Sequence, residues 1–399
     1  MTQPRTFAEI VTYAERGKKH ANFSALAGYC KNLFEAMDST TREAMVVLSD
    51  VKSVPTTFTD SSILVDECFT RNPKFLGQII RALKKYPDVK VIHLQHEFNL
   101  FGGAVTIPMV LLLLFYLKVV AKKQVVVTFH GVISQKIVDR NFVKLNNLPL
   151  SPWLSRVAFR IFFTTARPFI HRVILHSDKF KSILQEEYGY KQKISAIPIG
   201  IETVTPKMSH EEARKLLGIP AKKRVLLYFG FLAGYKGLDL LIDAVAKLDD
   251  QYLLLVAGGK PKRTENDPTY NAWYDAFVAK ASLNSNVRLA GFLPNDQLET
   301  YFMAADLAVF PYIIPVSSGA ALAAAISYSK PSIVSEAFDE LVPDSMVFKN
   351  TPESLQGKIE GMFSSSTMQA NHELILRMKE DFTQVKSSAK TAELLRSLL

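Results

Sequence analysis

Along the 399 residues, short runs of β-branched and aliphatic residues alternate with stretches in which apolar positions recur every three to four residues. Such alternation predicts strands whose chain returns through a helix, the mark of a parallel α/β sheet. In the first half the predicted strands are Phe7–Thr12, Ala44–Leu48, Val89–Leu94, Gln124–Phe129, Arg172–Leu175 and Ile194–Ile197. Phe75, Ile79, Ile80 and Leu83 fall on one helical face between two of them. A second series follows at Arg224–Phe229, Tyr252–Ala257, Val287–Leu289, Leu307–Phe310 and Ser332–Val334. The polar segment Pro198–Lys222, with Pro206 and Pro220, reads as the linker between the two series. Two doubly wound, Rossmann-like parallel-sheet domains facing a cleft, residues 1–200 and from 201 onward, are expected, in keeping with the length. Ligands of such sheets bind beyond the carboxyl ends of the strands, so the strand-to-helix turns carry the chemistry.

The longest apolar run, Val105 to Leu117, is too short to span a bilayer and contains Pro108; it reads as a buried helix behind a parallel strand. With 48% hydrophobic and 22% charged residues the chain is globular rather than disordered or fibrous. Cys30 and Cys68 have neither metal-ligand nor redox spacing, and the first residues show no apolar core followed by a cleavage site, so the cytoplasm is the expected compartment. Charge is uneven. Residues 1–200 hold 27 Lys and Arg against 15 Asp and Glu, and residues 201–399 hold 21 against 23. An excess of positive charge confined to one domain suggests an anionic partner. The stretch Trp153–Phe163, with Arg156 and Arg160 among bulky apolar residues, fits either an interfacial helix at the inner face of a membrane or a core helix with snorkelling arginines. Nucleic acid is not expected, because the cations are dispersed and belong to no recognised module.

Two turns have the makings of phosphate cradles. Gly230-Phe231-Leu232-Ala233-Gly234-Tyr235-Lys236-Gly237 follows a predicted strand and opens the helix Leu238–Leu248. Glycines allow close backbone approach, the helix N-terminus is a partial positive charge, and Lys236 supplies a full one. After Leu307–Phe310 comes Pro311-Tyr312 and then Ser317-Ser318-Gly319, opening a helix of small residues at Ala320.

These blocks, in this order, resemble the nucleotide-binding half of the retaining glycosyltransferases of family four, which have the GT-B fold. The resemblance covers YFGFLAGYKGLDLLIDAV, LLLVAGG, VRLAGFLPNDQLETYFMAADLAVFPY and SSGAALAAAISYSKPSIVS, within Arg224–Glu340. It implies that residues 201–382 bind the nucleotide sugar, with Lys236 and the glycines Gly230 and Gly237 at the phosphates and Gly291 and Phe292 at the base. Ser317, Ser318, Gly319 and Ala320 would hold the diphosphate. VIHLQHEFNLFGG and VVVTFHG resemble the acceptor-side domain of one branch of the family. The resemblance places His130 against the donor sugar, Glu97 remains a candidate for the acceptor proton, and residues 383–399 should form a helix packing back on the N-terminal domain.

The expected reaction moves a hexose from a UDP- or GDP-linked donor to a glycan or lipid-linked acceptor with retention. The nucleotide sugar is a substrate, and no cofactor is expected. No Asp-x-Asp pair suggests a metal-bridged diphosphate, so metal independence is expected too. The chain departs from the family at several points. Two glutamates common in the last block are Val316 and Ala324 here, a frequent arginine is Phe231, and the residue before Gly200 is Ile199. These changes motivate the alternative of a catalytically silent GT-B protein that serves as a binding or scaffold partner.

Overall fold

The computed structural model describes residues 4–17, 25–146, 148–191, 193–261, 264, 266–315, 319–339 and 341–399. The chain divides into two compact units, Met1–Gly200 with Gln384–Leu399, and Ile201–Thr383.

In the first unit eight strands form one sheet: β1 (Phe7–Ile10), β2 (Met45–Asp50), β3 (Thr57–Asp60), β4 (Ile63–Phe69), β5 (Val91–His96), β6 (Gln124–Phe129), β7 (Arg172–Leu175) and β8 (Lys193–Ala196). Their order is β3-β4-β2-β1-β5-β6-β7-β8, parallel throughout except for the antiparallel pair β3–β4. The central strands β1, β2 and β5 are buried along their whole length, as strands covered by helices on both faces must be.

The β3–β4 hairpin was not among the predicted strands, for two physical reasons. Its two-residue turn, Ser61-Ser62, has both φ angles positive at 49° and 71° without the Asn or Gly that normally marks such a turn. Strand β4 also buries Asp66, which breaks the apolar run but accepts hydrogen bonds from Tyr86 Oη at 2.9 Å and Lys85 Nζ at 3.1 Å.

The apolar run folds as the helix Ile107–Phe115, continued by a π-helical turn at Tyr116–Val120. Its burial is one-sided, which corrects the expectation of a buried helix. Val110, Leu113, Leu114 and Leu117 face the core, while Val105, Leu112, Phe115 and Val119 are exposed. The helix Gln384–Arg396 belongs to the first unit. There Leu395 packs with Phe7, Val91 and Val126, and Arg396 pairs with Asp38 at 2.7 Å.

The second unit carries β9 (Arg224–Phe229), β10 (Tyr252–Ala257), β11 (Val287–Gly291), β12 (Leu307–Phe310), β13 (Ser332–Ser335) and β14 (Val347–Phe348), all parallel, in the order β11-β10-β9-β12-β13-β14. Of these only the two-residue β14 was unforeseen. The strand order reverses direction between β9 and β12, and at such a switch point the turns beyond the carboxyl ends part to leave a ligand crevice. The segment read as a linker is ordered from Ile201 onward. It contains the helix His210–Leu216, started by a Ser209–Glu212 capping box and held by buried Arg214, whose Nη2 lies 2.6 Å from Asp306 Oδ2.

Candidate functional site

The two phosphate-cradle motifs meet at the β9/β12 switch point. After β9, Gly230 turns with φ +132°, and its N–H donates to Ala257 O at 3.0 Å. A single helical turn, Gly234–Lys236, leads to Gly237, whose φ of +68° starts the helix Leu238–Val245. A Cβ at Gly237 would lie 1.8 Å from the carbonyl oxygen of Pro311, just past β12, so only glycine fits. Beside it, Ile313 N–H donates to Tyr235 O at 2.8 Å, which latches the two turns together.

The turn after β10 is drawn in by the same means. A Cβ at Gly258 would fall 2.0 Å from Gly230 O, one at Gly259 would fall 2.8 Å from Phe292 Cβ, and Leu232 N–H donates to Gly259 O at 3.1 Å. Gly291, with φ +73°, makes no such approach and needs glycine for its backbone conformation alone. Phe292 is exposed, its ring 6.5 Å from that of Phe231 and inclined to it by 25°. The position where family members often carry arginine thus presents a second aromatic face.

Lys236 Nζ donates to Tyr312 Oη at 3.0 Å, sits 4.9 Å from the centre of the tyrosine ring, and lies 3.1 Å from where a Gly230 Cβ would be. Among the described residues no carboxylate pairs with it. Burial lowers its pKa from the ordinary lysine value, with Tyr235 opposing the shift. An ammonium that has lost water without gaining a counter-ion is set to accept an anion.

The helix Ala320–Ser327 has no side-chain cap at Gly319, and its first intrahelical bond runs from Ala323 N–H to Gly319 O at 2.6 Å. The amides of Ala320, Ala321 and Leu322 therefore have no acceptor within the helix. Ala321 Cβ is 3.7 Å from the Gly230 Cβ position, so this positive helix end opens onto the Lys236 turn. Ala324 follows one turn later, half-buried. Val316, Ser317 and Ser318 lie outside the described residues.

In the first unit a line of buried polar groups crosses the carboxyl ends of the strands. Glu9 on β1 is the register partner of His93 on β5, and their side chains meet at 2.9 Å. His93 Nε2 lies 2.7 Å from Thr128 Oγ1 on β6. Gln95, two residues along β5 and thus on the same face, lies 2.8 Å from His130 Nε2. His130 Nδ1 is 3.1 Å from His176 Nε2, and His176 donates through Nδ1 to Ile197 O at 3.0 Å. Burial holds the His130 pKa well below the ordinary histidine value, helped by neighbouring histidines, and lowers that of His176 to about 4. Each ring nitrogen of His130 thus has a buried polar neighbour. Glu97, just past β5, is exposed to solvent.

Of the candidates named from sequence, Lys236, Gly230, Gly237, Gly319 and Ala320 converge on one place, with Gly291 and Phe292 at its rim. His130 and Glu97 belong to the first unit. Sequence reading did not single out Tyr312, Gly258 and Gly259, whose roles arise from approaches between turns distant in the chain, nor Glu9, Gln95 and His176. Among the described residues no group of three or more His, Cys, Asp or Glu side chains could hold a metal ion.

Two such parallel-sheet units are the GT-B architecture. The sucrose-phosphate synthase of Thermosynechococcus elongatus shares the fold over 99% of both chains, with a TM-score of 0.74 at 17% identity. HepE of Anabaena, solved in complex with UDP-glucose, does so over 98% of this chain and 99% of its own, with a TM-score of 0.69 at 18% identity. Residues 41–205 match Glycosyltransferase Family 4, and residues 209–372 match Glycosyl transferases group 1. The chain belongs to this glycosyltransferase family. TuaC of Bacillus subtilis, named as a teichuronic acid biosynthesis glycosyltransferase, is 28% identical over 237 residues, covering 58% of this chain and 52% of TuaC. The chain thus spans about half the length of the curated relatives it matches, or somewhat less.

Proposed function

We propose that the protein is a retaining hexosyltransferase that takes a sugar from a nucleotide diphosphate donor, bound by residues 201–382, and passes it to a glycan or lipid-linked acceptor met by the N-terminal domain. The observation that carries this reading is the Lys236 ammonium, with no carboxylate partner among the described residues, lying between a glycine-only turn and the N-terminus of the helix Ala320–Ser327. Negative charge grows on the β-phosphate as the glycosidic bond breaks, and fixed dipoles and a desolvated cation that already face it stabilise that charge without reorganising. A metal ion is not required for this role. UDP-glucose is the donor we favour, since HepE, a neighbour in fold, was solved with it.

His130 then acts by shape rather than by proton transfer, because its ring nitrogens face other buried polar groups and burial disfavours its charged form. Glu97 is the group left for the acceptor proton. The amides of Gly319 and Ala320 would take the diphosphate oxygens, and the faces of Phe231 and Phe292 would lie beside the base. Phe231 and Ala324, apolar where relatives carry charge, favour the second reading, a silent GT-B protein that binds without turnover.

The test is a thermal-shift and calorimetric screen of UDP, GDP and their hexose conjugates, followed by detection of free nucleotide diphosphate on incubation. Binding of a nucleoside diphosphate together with slow donor hydrolysis supports the enzyme. Binding without hydrolysis or transfer favours the silent protein, and no binding at saturating concentration overturns both.

A further inference from the structure

The helix Ile107–Phe115 is apolar on every side. One face is buried, and the other is a stripe at helical spacing, Val105, Pro108, Leu112, Phe115 and Val119, open to solvent. Val105 is 72% exposed and Leu112 55%. A helix with two apolar faces has a second apolar surface still to cover.

Next to it lies the helix Pro152–Ala166. Its outer side exposes Trp153 at 66%, Leu154 and Ile161 at 56%. The two helices pack on each other, and the turns that follow them are tied by Lys118 Nζ donating to Pro168 O at 2.8 Å, with the rings of Phe115 and Phe169 edge to face at 5.5 Å. The packed pair thus carries exposed apolar side chains on both elements, and Leu150 and Val120 are exposed as well.

Charge in the segment that carries these side chains is nearly of one sign, although the neighbouring helix Asp178–Tyr188 adds Asp178, Glu186 and Glu187. Residues 98–177 contain ten Lys and Arg and a single acidic residue, Asp139, which caps the helix Arg140–Leu145 by accepting from Phe142 N–H at 2.7 Å. Lys118, Lys122, Arg140, Arg156 and Arg160 pair with no carboxylate among the described residues. No helix among the described residues is long and apolar enough to cross a membrane.

We propose that this surface, formed by Val105–Val120 and Pro152–Ala166, docks the N-terminal unit onto an anionic lipid bilayer, with Leu112, Phe115, Trp153 and Ile161 entering the interface. A protein partner would have to supply an acidic rim around an apolar centre. A bilayer of anionic lipid has that composition over its whole area, and Trp beside arginines is the side-chain mixture suited to the headgroup boundary. That the acceptor lies in the same bilayer rests on the reaction proposed above. The surface itself can be read without donor or acceptor, so failure of transfer and failure of docking are separate results.

The experiment is sedimentation of the full chain with phosphatidylcholine vesicles and with mixed phosphatidylcholine–phosphatidylglycerol vesicles, alongside quenching of tryptophan fluorescence by brominated lipid. Trp273→Phe leaves Trp153 as the reporter, since the chain has two tryptophans. The expected result is binding to mixed vesicles that weakens with salt, and quenching of Trp153. Arg140→Gln with Arg160→Gln should weaken partitioning about five-fold per cation, and Leu112→Ser with Trp153→Ser should weaken it by about ten-fold or more. All four side chains are solvent-exposed, and circular dichroism checks the fold. Absence of binding to mixed vesicles at low salt overturns the proposal, as does binding that both double variants leave unchanged. A concentration-dependent dimer in sedimentation velocity, abolished by Leu112→Ser with Trp153→Ser, would reassign the surface to a second copy of the chain and overturn lipid docking.

Discussion

Replacing Gly237 by alanine tests the centre of the proposed donor site, because two separable costs coincide there. The first is conformational: φ is +68°, and a non-glycine residue in the left-handed region costs about 1–2 kcal/mol. The second is steric, since the new Cβ would sit 1.8 Å from Pro311 O, a backbone atom that cannot swing aside. Restoring an ordinary contact moves the turn after β12 by more than 1 Å, an overpacking of about 1–3 kcal/mol. Gly291 is the control. Its φ of +73° carries the same conformational cost, but a Cβ there meets nothing within 4 Å. Gly291→Ala should therefore lose about 1–2 kcal/mol and Gly237→Ala about 2–5 kcal/mol. For a unit of this size each kcal/mol corresponds to a midpoint shift of about 2–4 °C. The difference between the variants isolates the clash. The displaced turn also carries Tyr312, which holds Lys236, so Gly237→Ala should weaken UDP binding about ten-fold or more, measured by calorimetry below the melting range. Equal stability losses in the two variants, with UDP affinity intact in Gly237→Ala, would refute the latch between the turns after β9 and β12.

Lys236→Met keeps the aliphatic stem and removes the charge; it should weaken nucleoside diphosphate binding by about 1.5–3 kcal/mol, or ten- to a hundred-fold, with the circular dichroism spectrum unchanged. His96 is buried among Phe98, Phe129 and Phe162 with Nδ1 lacking a hydrogen-bond partner among the described residues, and burial lowers its pKa to about 3. Its folded pKa lies below the unfolded value, so protons bind the unfolded chain first and stability falls as pH drops from about 6.5 toward 3, by about 1.4 kcal/mol at pH 5.5. His96→Phe removes that term, and its stability relative to the wild type in urea titrations should rise steadily from pH 7.5 to pH 5.5. Ser62→Gly relieves a residue at φ 71° while keeping the Ser61 Oγ–Glu35 bond of 2.7 Å, and should stabilise the first unit by about 1 kcal/mol in the same titrations.

The alternation of strands and helices was legible because central parallel strands are buried on both faces and so read as unbroken apolar runs, as β2, β6 and β10 do. Strand β4 escaped because its buried Asp66 is answered by Tyr86 and Lys85, about twenty residues on, which no local pattern records. The glycines of the proposed donor site announced themselves by position at a strand end. Why each must be glycine became clear only from approaches such as Gly237 to Pro311 O, across more than seventy residues. The line from Glu9 to His176 joins four strands through side chains without periodicity, and of its members sequence drew attention to His93 and His130 alone. For the apolar run, hydrophobicity spoke for burial without telling a face turned to the core from one turned to solvent, and Leu112 and Leu113, adjacent in the chain, have opposite fates.

The return of Gln384–Arg396 to the first unit gives the molecule the topology of an insertion. The second unit is one continuous segment whose ends are paired, Ile201 N–H donating to Phe382 O at 2.7 Å and Ile201 bridging to Thr383. It can complete its core without any later part of the chain. The first unit cannot, since Leu395 fills a place among Phe7, Val91 and Val126 that stays vacant until the whole of the second unit has been made. During synthesis the second unit should thus reach its native state before the first, and a change at Leu395 would leave its mark on strands that precede the whole second unit in the chain.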